Sequence, residues 1–163
     1  MMDALKIENA RVIFRNFSGR ETEFNRAGQR NFSVVIDDPE TARELNSQGW
    51  NVRLLESKDE NTEPIYILQV KIKFDSFAPP KVNMVNSHNV ITPLSEETIG
   101  VLDSADIKSV DLIINPYEWA VNGKSGISAY LKTMYAVIEE DTFAEKYATE
   151  EHPEDDDEGL PFK

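Results

Sequence analysis

The sequence predicts a mainly β protein, folded as a small closed or partly closed barrel or as a sandwich. Three observations favour this fold class. Residues 65–74 place apolar side chains at every even position, residues 127–138 show a second alternating run, and only one segment has a full set of helix signals. Alternation with a period of two is typical of a strand with one buried face. With 163 residues, of which 40% are hydrophobic, the chain suits one domain with a buried core.

The strands are predicted from alternating apolar residues. The inward-facing residues in the first part of the chain are expected to be Ala10, Val12, Phe14, Phe32, Val34 and Ile36. Those further along are expected to be Tyr66, Leu68, Val70, Ile72, Phe74, Ile127, Ala129, Leu131, Tyr135 and Val137. Leu5 and Ile7 are out of phase with Ala10, which predicts a bulge or bend in the first strand. Residues 77–80, Phe-Ala-Pro-Pro, are expected to break or bend the strand before them.

One helix is well signalled between Asp38 and Gly49. Asp38 can cap it, Pro39 suits its first turn and Gly49 suits its exit, so we expect a helix of about ten residues. A second short helix is predicted over residues 95–102. The Asn-Gly pair at residues 122–123 lies between two alternating runs, where it predicts a hairpin turn.

The net charge of −13 is unevenly distributed along the chain. Residues 139–163 hold 11 acidic and two basic residues, a net charge of −9, whereas residues 1–138 hold 19 acidic and 15 basic residues, a net charge of −4. A run of like charges cannot pack into a core. We therefore predict a folded domain over residues 1–138 and a disordered acidic tail over residues 139–163.

Composition excludes several classes of protein and site. The absence of cysteine excludes disulfides, cysteine ligands and thiol nucleophiles, and two histidines are too few for a multi-histidine metal site. The longest apolar run, residues 134–138, is far too short to span a membrane. The first residues lack the basic-then-apolar plan of a signal peptide. We expect a cytoplasmic protein without a cofactor, a metal ion or a membrane partner.

Enzyme motifs are not convincing in this sequence. Residues 123–125, Gly-Lys-Ser, resemble the end of a phosphate-binding loop, but Glu118 stands where that motif requires glycine. Asp103 and Asp106 could form a metal pair, yet they lack acidic or histidine partners, and a solvated loop is the better interpretation. His88 lies in a polar stretch without a serine-histidine-acid arrangement. We therefore predict that the protein is not an enzyme.

Arginine and phenylalanine residues interleave between residues 15 and 32. Single-stranded nucleic acid is bound by such mixtures, because cations contact the phosphates and aromatic faces stack on unpaired bases. The candidate phosphate contacts are Arg15, Arg20, Arg26, Arg30, Lys71, Lys73, Lys81, Lys124 and Lys132. The candidate stacking residues are Phe17, Tyr117, Trp119 and Tyr130. Alternation assigns Phe14 and Phe32 to the core, while Phe17 and Phe24 could be either core or stacking residues.

The end of the chain combines acidic residues with an apolar cluster. This pattern suits docking into a basic-rimmed apolar pocket of another protein, and the acids could also compete with DNA for the protein's own groove. The candidate partner-binding residues are Asp155, Asp156, Asp157, Glu158, Leu160, Pro161 and Phe162.

Residues 155–162 resemble the Asp-rich tip, ending in Pro-Phe, of bacterial single-stranded-DNA-binding proteins, although here a lysine follows the phenylalanine. Residues 9–17, 32–37, 115–117 and 126–131 resemble the phage-encoded branch of such proteins. The resemblance implies an OB-fold, a five-stranded barrel with one or two short helices, which is often dimeric. It also implies a protein that coats single-stranded DNA in phage replication, recombination and repair, and whose tail recruits replication proteins such as polymerase or helicase-primase.

Two other functions stay open. An acidic protein could mimic DNA and inhibit a host nucleic-acid enzyme, but a mimic should spread its acids over the folded surface, whereas here they are concentrated after residue 138. A metal-dependent nuclease would need clustered acids in the body of the chain, which the sequence does not offer.

Overall fold

The computed structural model describes residues 3–23 and 25–139. The predicted acidic tail, apart from Glu139, lies outside the described residues, and so does Phe24. The strands that these residues form are β1 (Leu5–Ala10), β2 (Val12–Asn16), β3 (Arg30–Ile36), β4 (Val52–Leu55), β5 (Ile65–Ile72), β6 (Lys81–Val85), β7 (Ile91–Leu94), β8 (Ile107–Val121) and β9 (Lys124–Ile138). The helices are α1 (Pro39–Ser47) and a 3₁₀ helix (Ile99–Asp103).

The strands form one curled sheet with the order β1-β8-β9-β5-β3-β2. The two end strands, β1 and β2, are separated in the chain only by Arg11, so one bent strand joins the two edges of the sheet. Within the described residues no ladder pairs β1 with β2 directly. If β1 and β2 are counted as one strand, five strands make the curled path, as in an OB-fold. The predicted mainly β, OB-like fold is confirmed, with β4, β6 and β7 added outside this path.

Two irregularities bend the first strand. The register of β1 against β8 shifts between Ile7 and Ala10, and Asn9 has a φ of 53°, which confirms the predicted bulge. A second shift, between β2 and β3, surrounds Phe14, whose φ is also 53°. The prediction that Phe14 faces inward was wrong. Its left-handed backbone breaks the alternation, and its side chain is 60% exposed.

The core is a single cluster enclosed by the curled sheet. Leu68, Val70 and Ile72 of β5 point into it, as alternation predicted. In β9 the prediction holds through Leu131 and then fails, because Met134 and not Tyr135 is buried. The pairing of β8 with β9 skips Lys132, and this bulge reverses which residues face inward. Val137, also predicted to face inward, is only partly buried.

Helix α1 begins at Pro39, as predicted, and ends at Ser47, one residue before the end expected for a ten-residue helix. The Asp38 carboxylate accepts hydrogen bonds from the Glu40 backbone N–H, at 3.1 Å, and from the Thr41 hydroxyl, at 2.9 Å. After the helix, Gly49 has a φ of +106°, which glycine adopts without strain. Helix α1 buries Ala42 and Leu45. Among the described residues, no helix has the length and apolar character needed to cross a membrane.

The second short helix, predicted over residues 95–102, forms only in its second half, as the 3₁₀ helix. The Ser95 N–H donates to the Thr98 hydroxyl at 2.8 Å, and the Thr98 N–H donates to the Ser95 carbonyl at 3.1 Å, so these residues form a turn instead. Only the short 3₁₀ helix follows. The hairpin turn at Asn122 and Gly123 is confirmed, with φ angles of 53° and 78°, and it joins β8 to β9.

Asp103, at the end of the 3₁₀ helix, binds the loop after β2 through hydrogen bonds. Its carboxylate accepts hydrogen bonds from the Phe17 N–H at 2.6 Å, the Ser18 N–H at 3.1 Å and the Ser18 hydroxyl at 2.5 Å. Only 14% of the Asp103 side chain is exposed, so the prediction of a solvated residue was wrong. Arg15 reinforces the same junction, donating to the Leu102 carbonyl at 2.9 Å.

We expect Asp103→Ala to lower the free energy of unfolding by about 2–4 kcal/mol, because the Phe17 and Ser18 donors lose a charged acceptor. The measurement is urea unfolding followed by circular dichroism. Asp106→Ala is the matched control, since Asp106 is exposed, and should change stability by less than about 0.5 kcal/mol. Equal effects of the two substitutions would contradict this account of Asp103.

Candidate nucleic-acid interface

Four neighbouring strands bring polar and aromatic side chains to one outer face of the sheet. Lys71 on β5 is the register partner of Tyr130 on β9 and of Asn31 on β3. Tyr117 on β8 pairs with Ser128 on β9. Directly paired residues project from the same side of a sheet, so these side chains share a surface. We call this surface, together with Trp119 two residues beyond Tyr117, the aromatic face.

The centre of the aromatic face is a pair of tyrosines. The ring centroids of Tyr117 and Tyr130 are 6.0 Å apart, and the ring planes meet at 84°. Lys71 Nζ lies 6.0 Å from the Tyr130 centroid, at the outer limit of a cation–π contact. Tyr117 is 59% exposed. A cation and accessible ring surface therefore lie side by side, which is the combination that a nucleotide requires.

Trp119 is held against the backbone of the opposite strand. Its cross-strand partner is Gly126, and a Cβ atom on Gly126 would lie 2.8 Å from Trp119 Cζ2. Only glycine leaves room for the indole to lie this close to the strand. Trp119 remains 38% exposed, so part of the indole is open to solvent.

Three adjoining depressions meet at Tyr130. The first, of about 630 Å³, is lined by Lys71, Tyr117 and Trp119 among others. The second, of about 480 Å³, extends along Lys71 and Lys73, and the third, of about 550 Å³, lies between Lys73 and Tyr117. Tyr130 lines all three. The predicted residues Lys71, Lys73, Tyr117, Trp119 and Tyr130 are thus brought together.

Most of the candidate arginines make contacts within the protein. Arg15 donates to the carbonyls of Leu102 and Ala105, and Arg20 lies 3.7 Å from the Asp103 carboxylate. The Arg30 side chain is only 15% exposed and donates to the Phe17 carbonyl at 3.0 Å, although it lines the second depression.

The Arg30 guanidinium also lies 3.4 Å from Glu96 and 5.7 Å from the centre of the Phe74 ring. Arg26 is exposed on the loop before β3. Arg15, Arg20 and Arg30 therefore contact other parts of the protein, and of the four candidate arginines only Arg30 lines one of the three depressions.

Phe17 is not available as a stacking residue in this structure. Its side chain is fully buried, and its ring stacks on Phe32 with centroids 5.1 Å apart. Of the two interpretations that the sequence left open for Phe17, the core interpretation is the one that the structure favours.

The remaining candidate lysines are exposed but lie outside the three depressions. Lys81 begins β6, Lys124 follows the hairpin turn, and Lys132 occupies the bulge of β9.

Phe77 also lies at this site, although it is not among the residues that the sequence pattern predicted for it. It is fully exposed and lines the third depression beside Lys73 and Tyr117. The available signal was its position before Ala-Pro-Pro, because a strand that ends there cannot place the ring in the core by alternation.

The described part of the chain shows no cluster of three or more His, Cys, Asp or Glu residues that could hold a metal ion. Asp75 and Glu96 line the second depression together with Lys71 and Lys73. Of the described residues that line the first and third depressions, lysine is the only charged type, with Lys71 in the first and Lys73 in the third.

Comparison with known proteins gives one family and a group of structures. A family model described as "Putative phage ssDNA-binding domain" matches residues 1–160. The chain is similar to a C-terminally truncated single-stranded DNA-binding protein from bacteriophage Enc34, with a TM-score of 0.55 and 10% identity, over 85% of this chain and 87% of that one. It is also similar to the Enc34 protein in complex with ssDNA, with a TM-score of 0.52 and 11% identity, over 86% and 89% of the two chains. No curated protein matches the chain. At these identities the structural matches show a shared fold.

We expect Gly126→Ala to displace the Trp119 indole, because the added methyl group would overlap Cζ2. Acrylamide quenching of tryptophan fluorescence should increase, since Trp50 is buried and Trp119 supplies most of the quenchable emission. Ser125→Ala, one residue earlier and exposed, is the control and should leave quenching unchanged. Unaltered quenching in Gly126→Ala would show that the indole does not depend on the glycine.

Proposed function

Because this chain belongs to the phage ssDNA-binding family, we propose that it binds single-stranded DNA on the aromatic face without sequence preference. The observation that supports this site is the convergence of Tyr117, Trp119 and Tyr130 with Lys71 and Lys73 around adjoining depressions. The strand would cross β5, β9 and β8 there.

Binding combines two interactions at this surface. Bases stack on the tyrosine and tryptophan rings, and each stacked base contributes about 1–3 kcal/mol. Lysine ammonium groups contact phosphates, and the counterions that they release favour association at low salt. Lys71 can do so beside a base on Tyr130, because its ammonium group lies 6.0 Å from that ring. Stacking tolerates any sequence, since every base has a π-face.

The protein is not an enzyme, in keeping with a family of DNA-binding domains. It binds the strand, and the DNA dissociates without a chemical change. The cations on the aromatic face support this function over that of an acidic DNA mimic, which would present carboxylates at its binding surface.

The wider role that we propose is to coat single-stranded DNA during phage replication, recombination and repair in the host cytoplasm. The acidic tail would recruit replication proteins such as polymerase or helicase-primase, through the apolar cluster at residues 160–162. A homodimer stays a prediction, which light scattering of the purified protein can check.

We expect Tyr130→Ala to weaken binding to an oligothymidylate by about five- to 150-fold, the loss of one stacked base. Fluorescence anisotropy of a labelled oligonucleotide measures the affinity. Tyr130→Phe keeps the ring face and should bind nearly as well as the unaltered protein. Tyr135→Ala removes a tyrosine of the same strand that lines none of the depressions, and it should have little effect.

The dependence of DNA affinity on salt concentration distinguishes the contribution of the aromatic rings from that of the lysines. Tyr130→Ala should leave the slope of log affinity against log salt unchanged, whereas Lys71→Ala and Lys73→Ala should each reduce it by about 0.7. Lys108→Ala, an exposed lysine at the far end of β8, is the control. The proposed site is wrong if neither ring nor lysine substitution changes DNA binding while the unaltered protein binds.

We expect removal of residues 150–163 to tighten DNA binding at low salt and to abolish recruitment of partner proteins. A tethered acidic segment competes for the lysines at an effective concentration on the order of millimolar. A tail with the same acids in scrambled order should keep the competition and lose the recruitment. Unchanged affinity after truncation at low salt would rule out self-competition.

A further inference from the structure

The loop between β5 and β6 presents a phenylalanine to solvent. Phe77 is fully exposed, whereas the other phenylalanines of the two described segments are buried or partly covered. An apolar or aromatic surface that covers a bare aromatic ring removes the ring from water and so lowers the free energy of the system. None of the residues that the structure describes supplies such a surface for Phe77.

The position of Phe77 connects it to the aromatic face. It lines the same depression as Lys73, Tyr117 and Tyr130. This depression lies at the end of β5 that is farther from the hairpin turn between β8 and β9. The Ser76 hydroxyl donates to the Lys73 carbonyl at 3.1 Å, which turns the loop directly after Lys73. The ring therefore borders the site beside its tyrosine pair, and a lysine lies in the same depression.

We propose that Phe77 is an additional base-stacking residue, which covers an unpaired base held in the third depression. This inference rests on the proposed function and extends the binding surface from the sheet to the β5–β6 loop. A nucleotide fits the surroundings, because Lys73 can contact its phosphate while Phe77 and the tyrosines contact its base.

A protein partner fits these surroundings less well. An aromatic anchor at a protein interface is normally embedded in a wider well-packed patch. Here the residues next to Phe77 include the exposed polar side chains of Asp75 and Ser76. A ring flanked by polar and cationic groups matches a nucleotide better than an apolar protein surface.

The test compares Phe77→Ala with Phe14→Ala in the full chain. Phe14 is also an exposed phenylalanine, at 60%, and it lines none of the three depressions. We expect Phe77→Ala to weaken binding to an oligothymidylate by about five- to 100-fold, and Phe14→Ala to stay within about twofold of the unaltered protein. Unfolding curves should not change for Phe77→Ala, because the ring makes no packing contribution to the fold.

A second variant gives a direct readout of contact. Phe77→Trp should bind DNA with nearly unaltered affinity, and its additional fluorescence should be quenched on binding, because bases quench a stacked indole. The Trp119→Phe background removes the signal of the other exposed tryptophan.

The outcomes separate this inference from the proposed function. If the unaltered protein binds DNA and Phe77→Ala binds equally well, Phe77 is not a stacking residue and the proposed function stands. If the unaltered protein does not bind, both proposals fail. If Phe77→Ala alters self-association measured by light scattering and leaves DNA affinity unchanged, the ring serves a protein interface and the inference is overturned.

Discussion

The pairing of β8 with β9 is the interaction on which the rest of this molecule depends. Both strands are 15 residues long and pair from Ile107 to the turn at residues 122–123. The buried face of the hairpin supplies core residues such as Ile114 and Leu131, and the other face presents the tyrosine pair. Because one register fixes both faces, a slip by one residue would exchange core and site together.

Sequence patterns predicted the regular parts of the fold, and they failed where a bulge intervened. The turn, α1 and the inward residues of β5 follow from local chemistry, namely positive φ at Asn-Gly, a capping carboxylate and alternation. The inward orientation predicted for Phe14 and Tyr135 was wrong, because each lies at or after a bulge. One extra residue in a strand reverses which side chains face the core. Where a bulge falls depends on the partner strand, which a linear pattern does not reveal.

The residues predicted for the site also fall into two groups, those that lie on the aromatic face and those that contact other parts of the protein. The dense arginine and phenylalanine segment looked like the binding surface, but Arg15 and Arg30 bond to backbone carbonyls, and Phe17 stacks in the core. The aromatic face instead unites Lys71 and Tyr130, which are distant in the chain and adjacent across the sheet. Proximity along the sequence was a poor guide here, since long-range strand pairing determines which side chains meet.

The outlying strands have a consequence for the proposed coating of single-stranded DNA by many copies of this protein. Copies bound side by side would meet at high local density, and exposed sheet edges are then a hazard for aggregation through strand addition. The added edge strands β4 and β7 each have only four residues, and β7 contains Pro93, which cannot donate a ladder hydrogen bond. These two edges thereby offer little unpaired backbone to a crowded neighbour.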